Sequence, residues 1–443
     1  MVRQAHNFVS EKPRKKFKKN IRVRIAPSPT GYAHVGTAYT ALFNFAFARG
    51  SGGKFIIRIE DSDIKRNIKG AEEKIYEALT WLGISWDEGA SEGGNYGPYK
   101  VSERLDIYKK RAKELLEKGK AYEDEGAIRF KNPGKDISWN DLVRGEITFP
   151  GGEITDFVIM KSDGYPTYNF NVVVDDSLMK ISHVIRGEDH ISNTPRQIAL
   201  YEAFGTKPPE FAHHPLLLNK EKKKLSKRDA AVDVFEYKKD GYLPEAFVNF
   251  LCLMGWSHPE EKEIFNLREF VKLFSIERVR KSGPIFNVAK LDWMNGQYMN
   301  NLPDEEFAKH ALNFAPKQAN EKFLVKIAPL VKSRVKKLSE LKDLTQFYFE
   351  KPKFDAKLFG DDYKMHLKGA IESLEKVDKW ELKIINEKLM ETVENEKFKT
   401  GKFFMDLRTT ITGKKVSPPI NESIEILGKE ETLKRLKDTL VNK

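Results

Sequence analysis

Arg24-Ile25-Ala26-Pro27-Ser28-Pro29-Thr30-Gly31-Tyr32-Ala33-His34-Val35-Gly36 is the stretch on which the fold of this chain turns. Leading into it, Ile21-Arg22-Val23-Arg24-Ile25 alternates apolar and charged residues, the period of a strand. Pro27, Pro29 and Gly31 then forbid regular structure. Beyond it, Val35 to Arg49 is apolar almost all round, with Ala41, Leu42, Phe43, Phe45, Ala46 and Phe47, which predicts a buried helix. Gly50-Ser51-Gly52-Gly53 ends that helix, and Lys54-Phe55-Ile56-Ile57-Arg58-Ile59 reads as a second strand. Strand, helix and strand at this spacing make a βαβ unit and the start of a parallel sheet.

Outward from this unit, residues 70–83 and 102–119 have helical periodicity. Residues 121–166 read as short strands and turns, punctuated by Gly126, Pro133, Gly134, Gly145, Pro150, Gly151, Gly152 and Gly164. Tyr168 to Val174 and His183 to Arg186 are expected to resume as strands. The pattern is therefore a nucleotide-binding α/β domain split by an insertion. Past residue 304 strand signals fade and amphipathic Lys/Glu-rich helices take over, broken at Pro316, Pro329, Pro352, Gly360, Gly401 and Gly413. A length of 443 residues suits about three domains at ~150 residues each.

The net charge of +12 is unevenly placed: residues 1–20 carry +6, residues 316–443 carry +7, and the body between them −1. Excess positive charge at both ends suits a polyanionic partner, although Lys-rich helices also serve simply as solvated faces. The lone cysteine, Cys252, excludes an internal disulfide and a cysteine-cluster zinc site, and is expected to be buried. No run of about 18 apolar residues predicts a membrane span. The first 20 residues lack the apolar core of a secretory signal and read as a disordered basic arm, with a transit peptide as the other reading.

Several residues carry chemistry. His34 and Gly36 open the buried helix, where amides and dipole favour an anion: a His there can be structural or donate to a phosphate, and a Gly lets a flat ring approach. Lys224-Leu225-Ser226-Lys227-Arg228 is either a solvated basic loop or a pair of lysines that close over phosphate charge. Glu60-Asp61-Ser62-Asp63 follows the second strand, at the end where open α/β sheets bind ligands. Its carboxylates could bind Mg2+, hold an ammonium or cap the next helix. Arg24 and Arg186 suit carboxylates, which arginine grips in a planar, two-pronged way.

Together the Pro27 to Thr37 segment and the Lys224 to Arg228 loop resemble the paired ATP-binding signatures of class I aminoacyl-tRNA synthetases. The family's His-Ile-Gly-His reads His34-Val35-Gly36-Thr37 here, the usual form in the bacterial-type glutamyl branch. Tyr165-Pro166-Thr167-Tyr168-Asn169-Phe170, His183 to His190, Leu251 to Trp256 and Leu291 to Gly296 are similar to further signatures of that branch. The resemblance spans about residues 21–443. It implies a Rossmann-type catalytic domain, split by an insertion and followed by an all-α anticodon-binding region.

The implied domains are a basic tail (1–20), the two catalytic halves (21–100 and 167–203), an acceptor-end-binding insertion (101–166), a connecting domain with the ATP loop (204–303) and the helical anticodon-binding region (304–443). The resemblance implies that glutamate is activated with ATP and Mg2+ to an adenylate and passed to tRNA(Glu), with tRNA(Gln) as a further acceptor if the enzyme is non-discriminating. His34, Lys224 and Lys227 would be catalytic. Pro27, Thr30, Gly31, Gly36 and Ser226 would complete the ATP site. Arg24, Ser28, Glu60, Tyr168 and Arg186 would bind glutamate, with Arg24 and Tyr168 on the side-chain carboxylate, Glu60 on the ammonium and Arg186 on the α-carboxylate.

Arg334 falls where the family places an anticodon-reading arginine. The insertion is shorter than usual and cannot carry the cysteine zinc site of many members, so no zinc is expected; Trp139, Arg144 and Lys131 are the candidates for gripping the acceptor end. No role is carried onto Asn171 and Val172. A cytoplasmic monomer is expected. A glutaminyl enzyme, a tRNA-base glutamylating enzyme, a small-molecule nucleotidyltransferase and a catalytically silent tRNA-binding protein are the competing readings. The helical 304–443 region argues against the first two. The Arg24, Glu60, Tyr168 and Arg186 set argues against the third, and intact His34 and Lys227 against the fourth.

Overall fold

β1 (Arg22–Ile25) and β2 (Lys54–Ile57) pair in parallel across α1 (Val35–Ser51), in register from Arg22 with Lys54 to Ile25 with Ile57. This computed structural model describes residues 20–31, 33–225 and 232–441. Residues 1–19 of the basic tail, and Ser226, Lys227 and Arg228, lie outside them. α1 is buried along its length because its residues are apolar on every face. It stops where Gly52 takes the left-handed conformation at φ 68°, and Gly53 N–H donates to Ala48 O at 2.8 Å.

α2 (Ala71–Trp81) and α3 (Leu105–Glu117) follow as the periodicity predicts. Then come the short strands β3 (Ala121–Asp124), β4 (Ala127–Phe130), β5 (Ile137–Asp141), β6 (Gly145–Phe149) and β7 (Phe157–Met160). They form an antiparallel β3-β4-β7 sheet and a β5-β6 hairpin. Tyr168 to Val174 is a helix, not the expected strand: it belongs to α4 (Tyr168–Leu178). The β-branched run Val172-Val173-Val174 suggests a strand, but Thr167 O accepts the N–H groups of both Phe170 and Asn171 and starts a helix. The segment is buried on all sides, so no alternation was there to separate the two.

β8 (His183–Gly187), α5 (Thr194–Phe204) and β9 (Glu210–His214) form a second parallel βαβ unit. The two units join where Ser182 N–H donates to Arg22 O and Ser182 Oγ accepts from Arg22 N–H. α3 and the strands after it share one apolar core with α4, β8 and α5: Tyr108, Ala112, Leu115 and Ile159 pack in the same cluster as Phe170, Val173, Val184 and Leu200.

α6 (Val234–Lys239), α7 (Pro244–Gly255), α8 (Leu267–Leu273) and α9 (Val288–Asn301) complete the middle of the chain, with Cys252 buried in α7. The chain resolves into two compact units, one up to Glu236 with Phe247–Asn287, the other Tyr237–Ala246 with Val288 onward. Beyond residue 304 the described residues form helices and turns only: α10 (Asp304–Ala311), α11 (Glu321–Val331), α12 (Leu341–Thr345), α13 (Tyr363–Glu375), α14 (Leu382–Asn395), α15 (Thr400–Thr412), α16 (Ile420–Leu427) and α17 (Lys429–Val441). Their apolar stripes meet at Leu324, Leu367, Leu389, Leu407 and Leu436. Among the described residues no helix is long and apolar enough to cross a membrane.

Gly53 marks how tightly α1 is fitted to the sheet, since a Cβ there would lie 2.5 Å from the backbone oxygen of Ile21. Gly53→Ala should therefore cost about 1–3 kcal/mol through overpacking. The check is a lower denaturant midpoint at unchanged m-value.

Candidate active site

β1 of the first parallel pair and both strands of the second end at one cavity of about 430 Å³. Arg24 and Ile25 bring the end of β1 to it, Ile185, Arg186 and Gly187 the end of β8, and His214 the end of β9. This is the carboxyl-end crevice where open α/β sheets bind ligands.

His34 is the N-cap of α1, its Nδ1 accepting the Gly36 N–H at 2.9 Å. Val35 N–H donates to Val232 O, and Thr37 and Ala38 N–H to His34 O. The first-turn amides of α1 are thus already paired, contrary to the expectation that they face an anion. With Nδ1 accepting, the ring carries its proton on Nε2. A Cβ at Gly36 would lie 3.0 Å from His34 Nδ1, so this glycine keeps the cap in place. Gly31, at φ +120°, serves the turn and does not line the cavity. Pro27, Ser28, Thr30, His34 and Gly36 do line it.

Arg24 is buried and spends Nε and Nη2 on Asp176, at 3.1 and 2.9 Å. The two-pronged edge expected for a ligand is therefore used within the protein, and the Nη1 end remains for the cavity. Asp176 also accepts from Arg58 Nη1 at 2.7 Å. Burial pushes the Asp176 carboxyl up, and the Arg24 and Arg58 guanidiniums more than offset it, holding it below the usual carboxylate range. Arg186 donates from Nε to His213 Nε2 at 3.0 Å and from Nη2 to Thr194 Oγ1 at 2.8 Å. Its Nη1 is buried without a hydrogen-bond partner. Tyr168 lines the same cavity, with its hydroxyl 3.2 Å from His190 Nδ1.

Glu60 is not among the residues that line the cavity, but its N–H donates to the backbone oxygen of Pro27, which is. Asn171 Nδ2 and Ser62 Oγ donate to its Oε1 at 2.7 and 2.8 Å, while Glu60 Oε2 and Asn171 Oδ1 are buried without partners. Burial raises the Glu60 carboxyl to about 7, with Arg58 opposing. Asp61 caps not the next helix but the turn at residues 101–104, through Ser102 N–H and Oγ. Asn171 and Asp176 are the residues the sequence reading missed. Asp175-Asp176 inside a buried apolar run was the available signal, because buried acids need partners.

Lys224 lines the cavity and reaches Asp189 Oδ2 at 2.5 Å. Ser226 and Lys227 fall outside the described residues. His190 and His214 also line the cavity, and burial lowers each to about 4, so both are neutral near pH 7. Arg144 does not project for an outside partner: it donates to His213 O, Lys281 O and Glu188 Oε2. Trp139 stacks on Phe149 within the hairpin, and Lys131 is exposed. In the helical unit Arg334 is exposed, with Nε on Ser417 O at 3.2 Å. The described residues hold no group of three or more His, Cys, Asp or Glu that could bind a metal ion.

A parallel sheet of this connectivity, with His34 and Lys224 lining a cavity at its carboxyl ends, has the form of a Rossmann-type nucleotide-binding fold. The family described as "tRNA synthetases class I (E and Q), catalytic domain" matches residues 20–127 and 123–293, and an "Anticodon binding domain" matches residues 306–440. "Glutamate--tRNA ligase 1" of Fervidobacterium nodosum is 42% identical over 94% of this chain and 98% of its own. "Glutamate--tRNA ligase" of Dehalococcoides mccartyi is 42% identical over 94% and 97%. The crystal structure of a glutamate tRNA ligase from Elizabethkingia meningosepticum, in complex with its amino acid, superposes with a TM-score of 0.86 at 33% identity, covering 95% of this chain and 99% of that one. The chain belongs to the glutamate–tRNA ligases, within the glutamate and glutamine branch of the class I aminoacyl-tRNA synthetases.

The raised Glu60 carboxyl has a measurable sign. A carboxyl whose folded pKa exceeds its unfolded value favours the fold when protonated and loses that advantage as pH rises through the folded value. Between the ordinary value of 4.5 and about 7, the parent should lose stability relative to Glu60→Gln. The loss should be on the order of 3 kcal/mol, read from denaturation midpoints across that window. A parallel pair of pH profiles would contradict it.

Proposed function

We propose that this chain attaches L-glutamate to tRNA(Glu) in two steps within the one cavity. The glutamate α-carboxylate oxygen attacks the α-phosphorus of ATP, the bond to the β-phosphate oxygen breaks, and pyrophosphate leaves. The 2′-hydroxyl of the terminal adenosine of tRNA then attacks the activated carbonyl, and AMP leaves with the bonding electron pair. Mg2+ enters on the phosphates of ATP as part of the substrate. No side chain forms a covalent bond; catalysis is positioning and charge stabilisation.

The observation that carries the reading is the meeting of Arg24, Tyr168 and Arg186 with His34 and Lys224 around one cavity, with Glu60 N–H bonded to Pro27 O of that lining. Two guanidiniums and one carboxylate mirror the two carboxylates and one ammonium of glutamate. Arg24 and Tyr168 take the side-chain carboxylate, Arg186 the α-carboxylate and Glu60 the ammonium. His34 Nε2–H and Lys224 meet the phosphates, joined by Lys227. Pro27, Thr30, Gly36 and Ser226 shape the ATP site, with Gly31 setting its turn. Lys224 exchanges Asp189 for phosphate as charge develops on the leaving group. Glutamine is rejected because its amide leaves Arg24 poorly paired.

Residues 101–166 hold the acceptor end, residues 204–303 connect, and the positively charged 304–443 region reads the anticodon, with Arg334 among its contacts. The enzyme works as a cytoplasmic monomer without zinc.

The test is glutamate transfer to purified tRNA(Glu), tRNA(Gln) and tRNA(Asp), with ATP and Mg2+. Charging of tRNA(Glu) alone is expected; charging of tRNA(Gln) as well would make the enzyme non-discriminating, and charging of none would overturn the proposal. Arg24→Leu should lower kcat/KM for glutamate by about 100-fold or more, the scale of an unpaired buried charge partner. Near-parent kinetics would remove Arg24 from the site.

A further inference from the structure

Arg186 is held by a chain of two side chains that ends in the insertion. Its Nε–H can only donate, so His213 Nε2 must accept, and His213 carries its single proton on Nδ1. That proton points at Asp141 Oδ2, 2.5 Å away. Asp141 is the last residue of β5, and its other oxygen accepts the N–H groups of Val143, Arg144 and His213 at 3.0, 3.0 and 3.2 Å. The carboxylate is therefore pinned in one orientation. Both side chains are shielded from solvent: His213 is 0% and Asp141 1% exposed. Phe211 lies parallel to the His213 ring, with centroids 6.2 Å apart and an interplanar angle of 10°, and its face is 5.5 Å from the Arg186 guanidinium. Burial keeps His213 below its ordinary pKa, with Arg186 adding to that and Asp141 opposing, so the neutral ring is the form present.

We propose that Asp141 and His213 are positioning residues for Arg186: Asp141 fixes the His213 tautomer, His213 Nε2 holds Arg186 Nε, and the unpartnered Nη1 is thereby aimed at the ligand carboxylate. This rests on the reading of Arg186 as the group that meets the α-carboxylate of glutamate. The logic is that of a buried carboxylate setting a histidine tautomer, with the histidine serving an arginine instead of a nucleophile. Part of the segment that separates the two sheet halves is then a working part of the amino-acid subsite.

The test uses the full chain with tRNA(Glu), ATP and glutamate. Asp141→Asn is isosteric, but the three backbone donors at Oδ1 hold the amide oxygen there and turn its NH2 towards His213. The ring must then carry its proton on Nε2, facing Arg186, and the bond to Nε is lost. Glutamate KM should rise about tenfold or more, the scale of one hydrogen bond to a charged group, with ATP KM within about twofold of the parent. In a His213→Gln background the amide oxygen accepts from Arg186 without help, so adding Asp141→Asn should raise glutamate KM no further. His213→Phe deletes the acceptor and carries the same expectation as Asp141→Asn, so either variant decides if the other fails to fold.

Arg186→Lys separates the two ideas. If it raises glutamate KM while Asp141→Asn and His213→Phe do not, the relay is overturned and the role of Arg186 stands. If Arg186→Lys leaves glutamate KM unchanged, that role fails and the relay with it. If Asp141→Asn raises the glutamate and ATP KM together, and does so equally in the parent and in the His213→Gln background, its part is merely structural and the proposal is overturned.

Discussion

Asp176 accepts from two arginines at once, and the site depends on it. Arg24 comes from β1, Arg58 from just after β2, and Asp176 from α4. Asp175, one residue earlier, takes Arg104 Nε at 2.7 Å and the Tyr108 hydroxyl at 2.6 Å. Three arginines and two aspartates thus alternate, nearly without solvent, in a chain that begins with Arg24 of the cavity lining. Buried charges of this kind do not favour folding outright, since desolvation offsets much of their attraction. What they do is forbid alternatives: losing one partner strands another at about 3–5 kcal/mol. Strand, helix and inserted α3 are locked in the one arrangement that pairs every charge.

The same principle recurs at each group that faces the cavity. His34 is held by the Gly36 amide, Lys224 by Asp189, and Arg186 by Thr194 and His213. A side chain with its geometry already set loses little when charge develops beside it, which is where electrostatic catalysis gains most. The helix dipole at His34 adds a fixed positive end, although the amides that create it are occupied.

The first βαβ unit was legible because its signals are local: alternation over Ile21 to Ile25, an all-round apolar helix, and a glycine-rich stop. The cavity residues were legible by motif, and Pro27, Ser28, Thr30, His34, Gly36, Arg24, Tyr168, Arg186 and Lys224 do converge on one cavity. What was not legible depends on tertiary burial. Val172 to Val174 carry strand propensity, yet they lie in a helix surrounded by core, where the pattern has no polar face to declare its period. Arg24 looked like a ligand's two-pronged partner because nothing local marks Asp176, 152 residues away, as its counter-ion. Arg144 looked like a surface contact for the same reason: its three acceptors come from distant stretches of chain.

The core shared by α3, β7 and α4 bears on how such a chain can change over evolutionary time. A segment with its own core can be exchanged or lost as a cassette. Here Tyr108, Ala112, Leu115 and Ile159 are packing partners of the sheet's own helices, so excision would open the catalytic core itself. Substitution in this region should therefore cost least on the solvent-facing side of the β5–β6 hairpin and at the loop tips, and most along its inner wall.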